Sequence, residues 1–366
     1  VPGAVPPVPP RLGRLFEHAP DVDAILVIND PPDATFQWAT GLHHGGTFEG
    51  SAVILREGET PQVLVPPLEE TTARKGIGEV VVFSGKRGFQ EALAGALGGA
   101  GKVGLHHQRV TLARKEKLEK ALPKTSFVDV SDAIGRARLV KDADEIEAMR
   151  AACELTDRIA DHMEDHVAPA ETESGLAAGI VREILAQGAG ISFDPIVAWG
   201  PGSAEPHYAP QPVPLRDGPL LVDMGAKLNG YCSDITRTYT LGPPSGGFRE
   251  MYDTVDHALE AALDTIRPGV KGGQVHKAAE KVIDASRFKG RFIHSVGHSL
   301  GVEVHDGGRL HPSQDLTLEE GMVFTVEPGV YVPGEAGVRL EEDVVVTRNG
   351  YTKLTQADRE LRDLTR

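Results

Sequence analysis

The chain of 366 residues holds only two cysteines, Cys153 and Cys232, at no paired spacing. That excludes a disulfide scaffold and fits a reducing compartment, so a cytoplasmic protein is expected, with each thiol a small buried residue. Positive charge is also scarce: the formal net charge is −15, and no basic run offers a footprint for phosphates. Nucleic acid and anionic membrane surfaces are therefore poor candidate partners. No apolar run approaches the roughly 18 residues that a membrane-spanning helix requires. The N-terminal VPGAVPPVPPRLGR lacks a basic leader and an apolar core, so it does not read as a secretory signal. It reads instead as a flexible arm, or as an arm that contacts a partner. What is present is ordinary globular composition, 40% apolar and 25% charged, in a length that allows two domains with separate cores.

Residues 1–137 alternate strand-like and helix-like stretches. DAILVIND, SAVILREG, TPQVLVPP and EVVVFSG read as strands, and residues 69–75 and 90–97 as helices, which together predict a small α/β domain. From residue 141 to 167, Ile146, Met149, Cys153, Ala160, Met163 and Val167 recur at helical spacing, with Asp142 and Asp144 at the end where the helix dipole favours acids. A long helix thus opens a second domain, residues 138–366. Further helices are expected over 173–187, stopped by Gly188, over 248–267, ended by Pro268-Gly269, and over 274–288, ended by Gly290. Strands fall between and after them. No internal repeat is visible, and no segment beyond the N-terminal arm is low in complexity.

Those strands carry five side chains of the metal-ligand type: Asp223 in LLVDMGA, Asp234 in CSDITRT, His298 in HSVGHSLG, Glu327 in FTVEPG and Glu341 in VRLEEDV. Asn229-Gly230 is a strong two-residue hairpin signal. In the ideal register about that turn Asp223 stands opposite Thr236, and Asp234 lies two residues along on the same face. Diagonal neighbours across a strand pair are about 7–8 Å apart, so the two carboxylates can share one ion or bridge two ions spaced about 3.5–4 Å. Any one of the five alone reads as a structural polar residue; the ordered set reads as a dinuclear centre.

Three other motifs compete for attention. GHSLG at residues 297–301 matches a nucleophile elbow with Ser299 at its centre, but the only later histidines are His305 and His311, and the only aspartate between Ser299 and His311 is Asp306, too close to stand on another strand end. ALGGAGKV near Gly101-Lys102 suggests a phosphate loop, yet its glycine spacing is wrong and Val103 stands where a hydroxyl is needed; a glycine-rich turn fits better. His162 and His166 have the spacing of a zinc pair without the HExxH residues between them, and read as a solvated helix flank.

With these residues in place the chain resembles the pita-bread metallopeptidases, the family of methionine aminopeptidase, aminopeptidase P, prolidase and creatinase. The resemblance covers nearly the whole chain. LVKDADEIEAMRAACELTD is similar to the helix that opens the family's catalytic domain, FDPIVAWGPGSAEPHY to the segment ending in its substrate-contacting histidine, here His207, and NGYTKLTQADREL to its C-terminal ending. The resemblance implies an α+β architecture, a C-terminal pita-bread fold behind a smaller α/β creatinase-like domain. It implies that Asp223 chelates one ion, that His298 and Glu327 hold the other, and that Asp234 and Glu341 bridge them. Arg339, on the same strand face as Glu341 by period two, suits a clamp on that carboxylate. Creatinase-like members lack the ligands and methionine aminopeptidases generally lack the first domain, which leaves the Xaa-Pro peptidases: prolidases, which take dipeptides, and aminopeptidases P, which take longer peptides. His207, His294, His298 and His305 match that pattern. Trp199 departs from it, standing where relatives commonly have a small residue; it either narrows one end of the cleft and contacts substrate, or packs against the neighbouring loop. With the loop His43-His44-Gly45-Gly46 it is a candidate to close the cleft beyond a proline carboxylate. A homodimer is implied as well.

The chemistry expected of such a site follows from proline. The bond before it is a tertiary amide without an N–H, so recognition of an extended backbone through that group fails. Two ions supply an attacking water and polarise the scissile carbonyl, while the free α-amine of the substrate binds a metal or an acidic ligand, making the reaction exopeptidic. The leaving nitrogen must gain a proton, for which Glu327 is the candidate relay. His305 is expected to donate to the developing oxyanion, and His207 and His294 to hold substrate. An oxygen-rich ligand set with one imidazole suits Mn²⁺, with Co²⁺ or Zn²⁺ as alternatives. The expected activity is that of an Xaa-Pro dipeptidase, with an aminopeptidase acting on longer peptides as the second reading and a catalytically silent binding module as the third.

Overall fold

The computed structural model describes residues 8–43, 46–168 and 170–365. Its chain divides into two compact units, Val1–Arg138 and Leu139–Arg366.

The first unit is built on one mixed six-stranded sheet. Strands β1 (Ala24–Ile28), β2 (Ala52–Leu55), β3 (Gln62–Val65), β4 (Glu79–Val82), β5 (Lys102–Leu105) and β6 (Ser126–Asp129) lie in the order β4-β3-β2-β1-β5-β6. The hairpin neighbours β1–β2 and β2–β3 run antiparallel, and the pairs closed by helices run parallel. The helices are α1 (Pro10–His18), α2 (Ala34–Thr40), α3 (Glu70–Ala73), α4 (Gly85–Leu97), α5 (Leu112–Ala121) and α6 (Ser131–Leu139). Strands β1 and β2 are buried along their whole length, as expected of inner strands, and the apolar runs AILVI and AVIL supply that burial. The flexible-arm expectation needs correction beyond residue 9. Pro10 starts α1, and Leu12 and Leu15 are buried on one face of it; proline at a helix start costs no hydrogen bond, which a composition argument overlooks. Residues 1–7 lie outside the described residues, as do His44 and Gly45 of the loop proposed to close the cleft. The glycine-rich turn at Gly101-Lys102 holds no phosphate cradle, because both amides donate to the Asp23 carboxylate, at 2.7 and 2.9 Å.

The second unit opens with α7 (Ala143–Asp161). A capping box closes its start: the Asp142 carboxylate accepts from the Glu145 amide and the Glu145 carboxylate from the Asp142 amide. Met149, Ala152, Cys153, Thr156, Ile159 and Ala160 form its buried stripe. The expected single helix breaks at His162, and α8 (Met163–Val167) continues from there. Helices α9 (Glu173–Ala186), α10 (Gly246–Leu263) and α11 (Gly272–Asp284) follow where the periodicity places them. The strands are β7 (Gly190–Ile191), β8 (Ile196–Trp199), β9 (Gly218–Met224), β10 (Ala226–Leu228), β11 (Tyr231–Cys232), β12 (Ile235–Leu241), β13 (Val323–Val326), β14 (Gly329–Val332), β15 (Ala336–Arg339), β16 (Glu342–Thr347) and β17 (Gly350–Lys353). They form short antiparallel groups, β12-β9-β8, β11-β10-β7, β13-β16-β17 and β14-β15.

Two apolar clusters set the orientation of these strands. Leu220, Val222 and Met224 of β9 and Ile235, Tyr239 and Leu241 of β12 join α7 and α9 in one cluster. Phe324, Val326, Val330, Val338, Leu340, Val344 and Val346 join α10 and α11 in the other. Side chains alternate faces along a strand, so Asp223, Thr236, Thr325 and Arg339 are turned to the opposite faces.

Candidate metal centre

The hairpin signal holds in detail. Asn229 and Gly230 both have positive φ, 52° and 83°, as a two-residue turn matched to strand twist requires. The register that follows puts Thr236 opposite Asp223. Between the two halves of this long hairpin the ladder is interrupted. The Asp234 amide donates to Asp343 Oδ2 at 2.9 Å, and the Gly225 carbonyl accepts from Ser192. A side chain at Gly225 would meet the Ser233 carbonyl, so only glycine lets the strands pass so closely there. Glu327 follows β13, and Glu341 lies in the junction between β15 and β16. Of the five candidate ligands only Asp223 stands within a strand; the expectation of a strand position for each is corrected accordingly. Breaks in the ladder free the backbone to turn a side chain toward a common point.

Ligand-type atoms of Asp234, His298 and Glu341 all lie within 4.8 Å of one another. His298 Nε2 is 3.6 Å from Asp234 Oδ2 and 3.6 Å from Glu327 Oε1. Its Nδ1 faces the Ser299 carbonyl at 3.3 Å, which assigns the proton to Nδ1 and leaves Nε2 as the electron-pair donor. The histidine segment runs against β13: the Thr325 amide donates to the His298 carbonyl and the Glu327 amide to the Val296 carbonyl. A Cβ on Gly297 would lie 1.9 Å from the Thr325 carbonyl oxygen. Thus the glycine of GHSLG serves strand approach, and Ser299 at its centre is fully buried, accepting from Lys141 Nζ at 3.1 Å. It is no exposed nucleophile. His162 is exposed, with Nδ1 at 2.9 Å from the Arg158 carbonyl, in keeping with a solvated flank.

Asp223 completes the group from the β9 side. Its Oδ2 accepts from Arg339 Nη2 at 2.6 Å, while its Oδ1 is buried with no hydrogen-bond partner. The expected clamp of Arg339 on Glu341 is therefore corrected: the guanidinium sits on Asp223 and reaches Glu341 only through Thr236. That hydroxyl accepts from Arg339 Nε at 3.0 Å and donates to Glu341 Oε2 at 2.7 Å. Residues two apart on one strand are separated by about 6–7 Å, and the neighbouring sheet brings Asp223 closer.

The residues present fit divalent cations. Burial, followed by repulsion from Glu341 and Asp223, pushes the Asp234 carboxyl well above the carboxylate range, and burial with Glu327 does the same to Glu341. Burial raises Glu327 to about 7 and lowers His298 to about 3, a neutral imidazole at working pH. Carboxylates this close cannot all ionise unless a cation joins them. A pH dependence follows. The raised carboxyls favour the metal-free fold at low pH and withdraw that stability as pH rises, whereas the depressed His298 adds stability only until its unfolded form is neutral, above its ordinary value of 6.5. Above that point the carboxyls alone set the slope. The melting temperature of chelated protein is expected to fall between about pH 6.5 and 8, and Mn²⁺ to remove most of the fall. Melts of chelated and loaded protein across that range check it, and a flat metal-free profile contradicts it.

A cavity of about 880 Å³ opens over this group. Asp223, Asp234, His298, Glu327, Arg339 and Glu341 line it, together with His207, His294 and His305. The His305 ring stands 4.4 Å from that of His298, and burial followed by Arg309 lowers its pKa. His294 Nε2 lies 2.9 Å from the Tyr331 hydroxyl, which also accepts from Arg339 Nη1 at 3.0 Å. Trp199 is not part of the cavity wall, and the reading in which it narrows the cleft and contacts substrate is corrected. Its indole N–H donates to the Arg216 carbonyl at 2.6 Å, and its ring packs on the cluster below β8 and β9. Sequence reasoning missed Thr236, Tyr331 and Asp343, which orient Glu341, His294 and the Asp234 backbone. Thr236 carried a signal in the hairpin register that sets it opposite Asp223, and Asp343 one as the third acid of EED; Tyr331 carried none.

This fold and site define a metallopeptidase. Residues 147–348 match metallopeptidase family M24, and residues 12–140 match the creatinase/prolidase N-terminal domain. The chain belongs to metallopeptidase family M24. It is 32% identical to the Xaa-Pro dipeptidase of Pyrococcus horikoshii over 94% of this chain and 96% of that one. Among solved structures it is similar to the X-Pro aminopeptidase of Thermotoga maritima, with a TM-score of 0.87 at 31% identity over 93% of this chain and 97% of that one. A prolidase from Thermococcus sibiricus gives a TM-score of 0.83 at 32% identity, over 96% of this chain and 98% of that one. Among the described residues no helix is long and apolar enough to cross a membrane.

Proposed function

We propose that this protein is an Xaa-Pro exopeptidase that uses two divalent ions, of the dipeptidase type, hydrolysing the bond before a proline in the second position. The observation that carries the reading is the convergence of Asp234, His298 and Glu341 within 4.8 Å, flanked by Asp223 and Glu327, in the floor of a histidine-lined cavity. In the proposal Asp223, Asp234, His298, Glu327 and Glu341 would hold the two ions. When bound, the ions supply a water nucleophilic at neutral pH and polarise the scissile carbonyl. Arg339 holds Asp223 through Oδ2 and leaves its Oδ1 without a hydrogen-bond partner, available to an ion. Glu327, which burial moves to about 7, can accept a proton and pass it to the proline nitrogen as that bond breaks. His305 donates to the oxygen that gains charge, and His207 and His294 hold substrate against the cavity wall.

The oxygen-rich donor set favours Mn²⁺ in this proposal. The two cysteines, free and buried, support a reducing compartment such as the cytoplasm. A homodimer is part of the same proposal. An aminopeptidase on longer peptides is the second reading, favoured by the similarity to the Thermotoga maritima enzyme. Hydrolysis of Ala-Pro and Ala-Pro-Ala by Mn²⁺-loaded protein separates the two. Faster cleavage of Ala-Pro than of Ala-Pro-Ala is expected. Faster cleavage of Ala-Pro-Ala replaces the dipeptidase reading with the aminopeptidase one, and no cleavage of either removes both.

A further inference from the structure

One buried carboxylate ties the cavity wall that carries His207 to α9. Glu173 is the first residue of α9, behind the N-cap Thr172, and is only 1% exposed. Its Oε1 accepts the Trp199 amide at 2.7 Å; its Oε2 accepts the Tyr208 hydroxyl at 2.9 Å and the Gln211 amide at 3.0 Å. Trp199 and Gln211 bound the segment that contains Pro206, His207, Tyr208, Ala209 and Pro210, all of them in the cavity wall. The other side of the segment is tied to β15: the Gly337 amide donates to Ser203 Oγ at 2.8 Å, and Arg339 Nη1 to the Pro206 carbonyl at 3.3 Å. Burial, followed by the Glu173 bond, pushes the Tyr208 hydroxyl up to about 12, so it remains a donor at any working pH.

We infer that Glu173 is a positioning residue for substrate: by joining both ends of residues 199–211 it sets where His207 stands in the cavity. This rests on the Xaa-Pro reading and on the substrate role of His207 within it. A helix-capping function alone does not require three donors from a distant segment, two on one oxygen. Glutamine cannot replace the carboxylate, because its amide nitrogen must face either the Trp199 amide or the Tyr208 and Gln211 donors. At least one partly buried donor then loses its acceptor.

The test uses full-length Mn²⁺-loaded protein with Ala-Pro as substrate, comparing wild type, E173Q, Y208F, the double variant and H207A in KM, kcat and metal content. The expected result is a KM raised roughly ten- to a hundredfold in E173Q, the scale of an unsatisfied buried group, with kcat and metal content close to wild type. Y208F, which removes only the hydroxyl on Glu173, should raise KM by a smaller factor. The double variant should match E173Q, because the two side chains act through one contact. Folded E173Q with wild-type KM, beside H207A with a raised one, overturns the inference and leaves the Xaa-Pro reading intact. If E173Q does not fold, Y208F decides: a wild-type KM there overturns the inference equally. H207A with an unchanged KM also overturns it, and absence of Ala-Pro hydrolysis by loaded wild type overturns the reading beneath it.

Discussion

Asp234→Asn is expected to lose hydrolysis of Ala-Pro by more than about a hundredfold, beyond the 10–100-fold cost of removing an outer partner of a metal ligand, and to lose bound metal with it. The substitution keeps the shape of the side chain. It also keeps the backbone, because the position is held by the Asp234 amide on Asp343 Oδ2 rather than by the carboxylate. What it removes is one negative charge from a point where burial and Glu341 already oppose ionisation. The metal-free fold should therefore melt no lower than wild type, since a neutral amide is easier to bury than a carboxylate crowded by others. Loaded protein should lose the added stability that metal binding confers. Glu341→Gln should behave alike, with some additional loss because Thr236 donates to its carboxylate. Metal analysis and turnover measured on the same preparation check this. Near wild-type values of both in Asp234→Asn would falsify the dinuclear assignment.

His305→Ala should separate from His298→Ala. His305 Nε2 and Nδ1 belong to no cluster with three ligand-type groups among the described residues, whereas His298 points Nε2 at two carboxylates 3.6 Å away. With the rings 4.4 Å apart, His305 faces the cavity beside the ligand without being one. Its loss should cost about 10²–10³ in kcat, the usual scale for a donor to a developing oxyanion, while metal content stays near wild type. His298→Ala should lose metal outright. Equal metal loss in the two variants would show that the roles are exchanged or shared. A raised KM with unchanged kcat in His305→Ala would point to ground-state substrate binding instead.

The sequence by itself determined the helices of the second unit, the α/β character of the first and the hairpin of the metal centre. These depend on neighbours in the chain. Asn229-Gly230 selects a turn, the turn selects a register, and the register places Asp223 opposite Thr236. Periodicity placed α7, α9, α10 and α11 within a few residues, though not the break at His162. Which acid of EED enters the cavity was legible only through resemblance, since three adjacent carboxylates offer no local distinction. Tertiary structure separates them: Glu341 meets Thr236, Glu342 meets Arg237, and Asp343 holds the Asp234 amide. The partner of Arg339 was likewise decided in space. Period two gives the face of a side chain but not what the next sheet brings to it, and that sheet brought Asp223. Trp199 shows the same limit, because its indole N–H meets the Arg216 carbonyl of the loop while its backbone amide reaches Glu173, 26 positions earlier in the chain. Contacts of that separation depend on how the elements pack, and side-chain identity alone does not encode them.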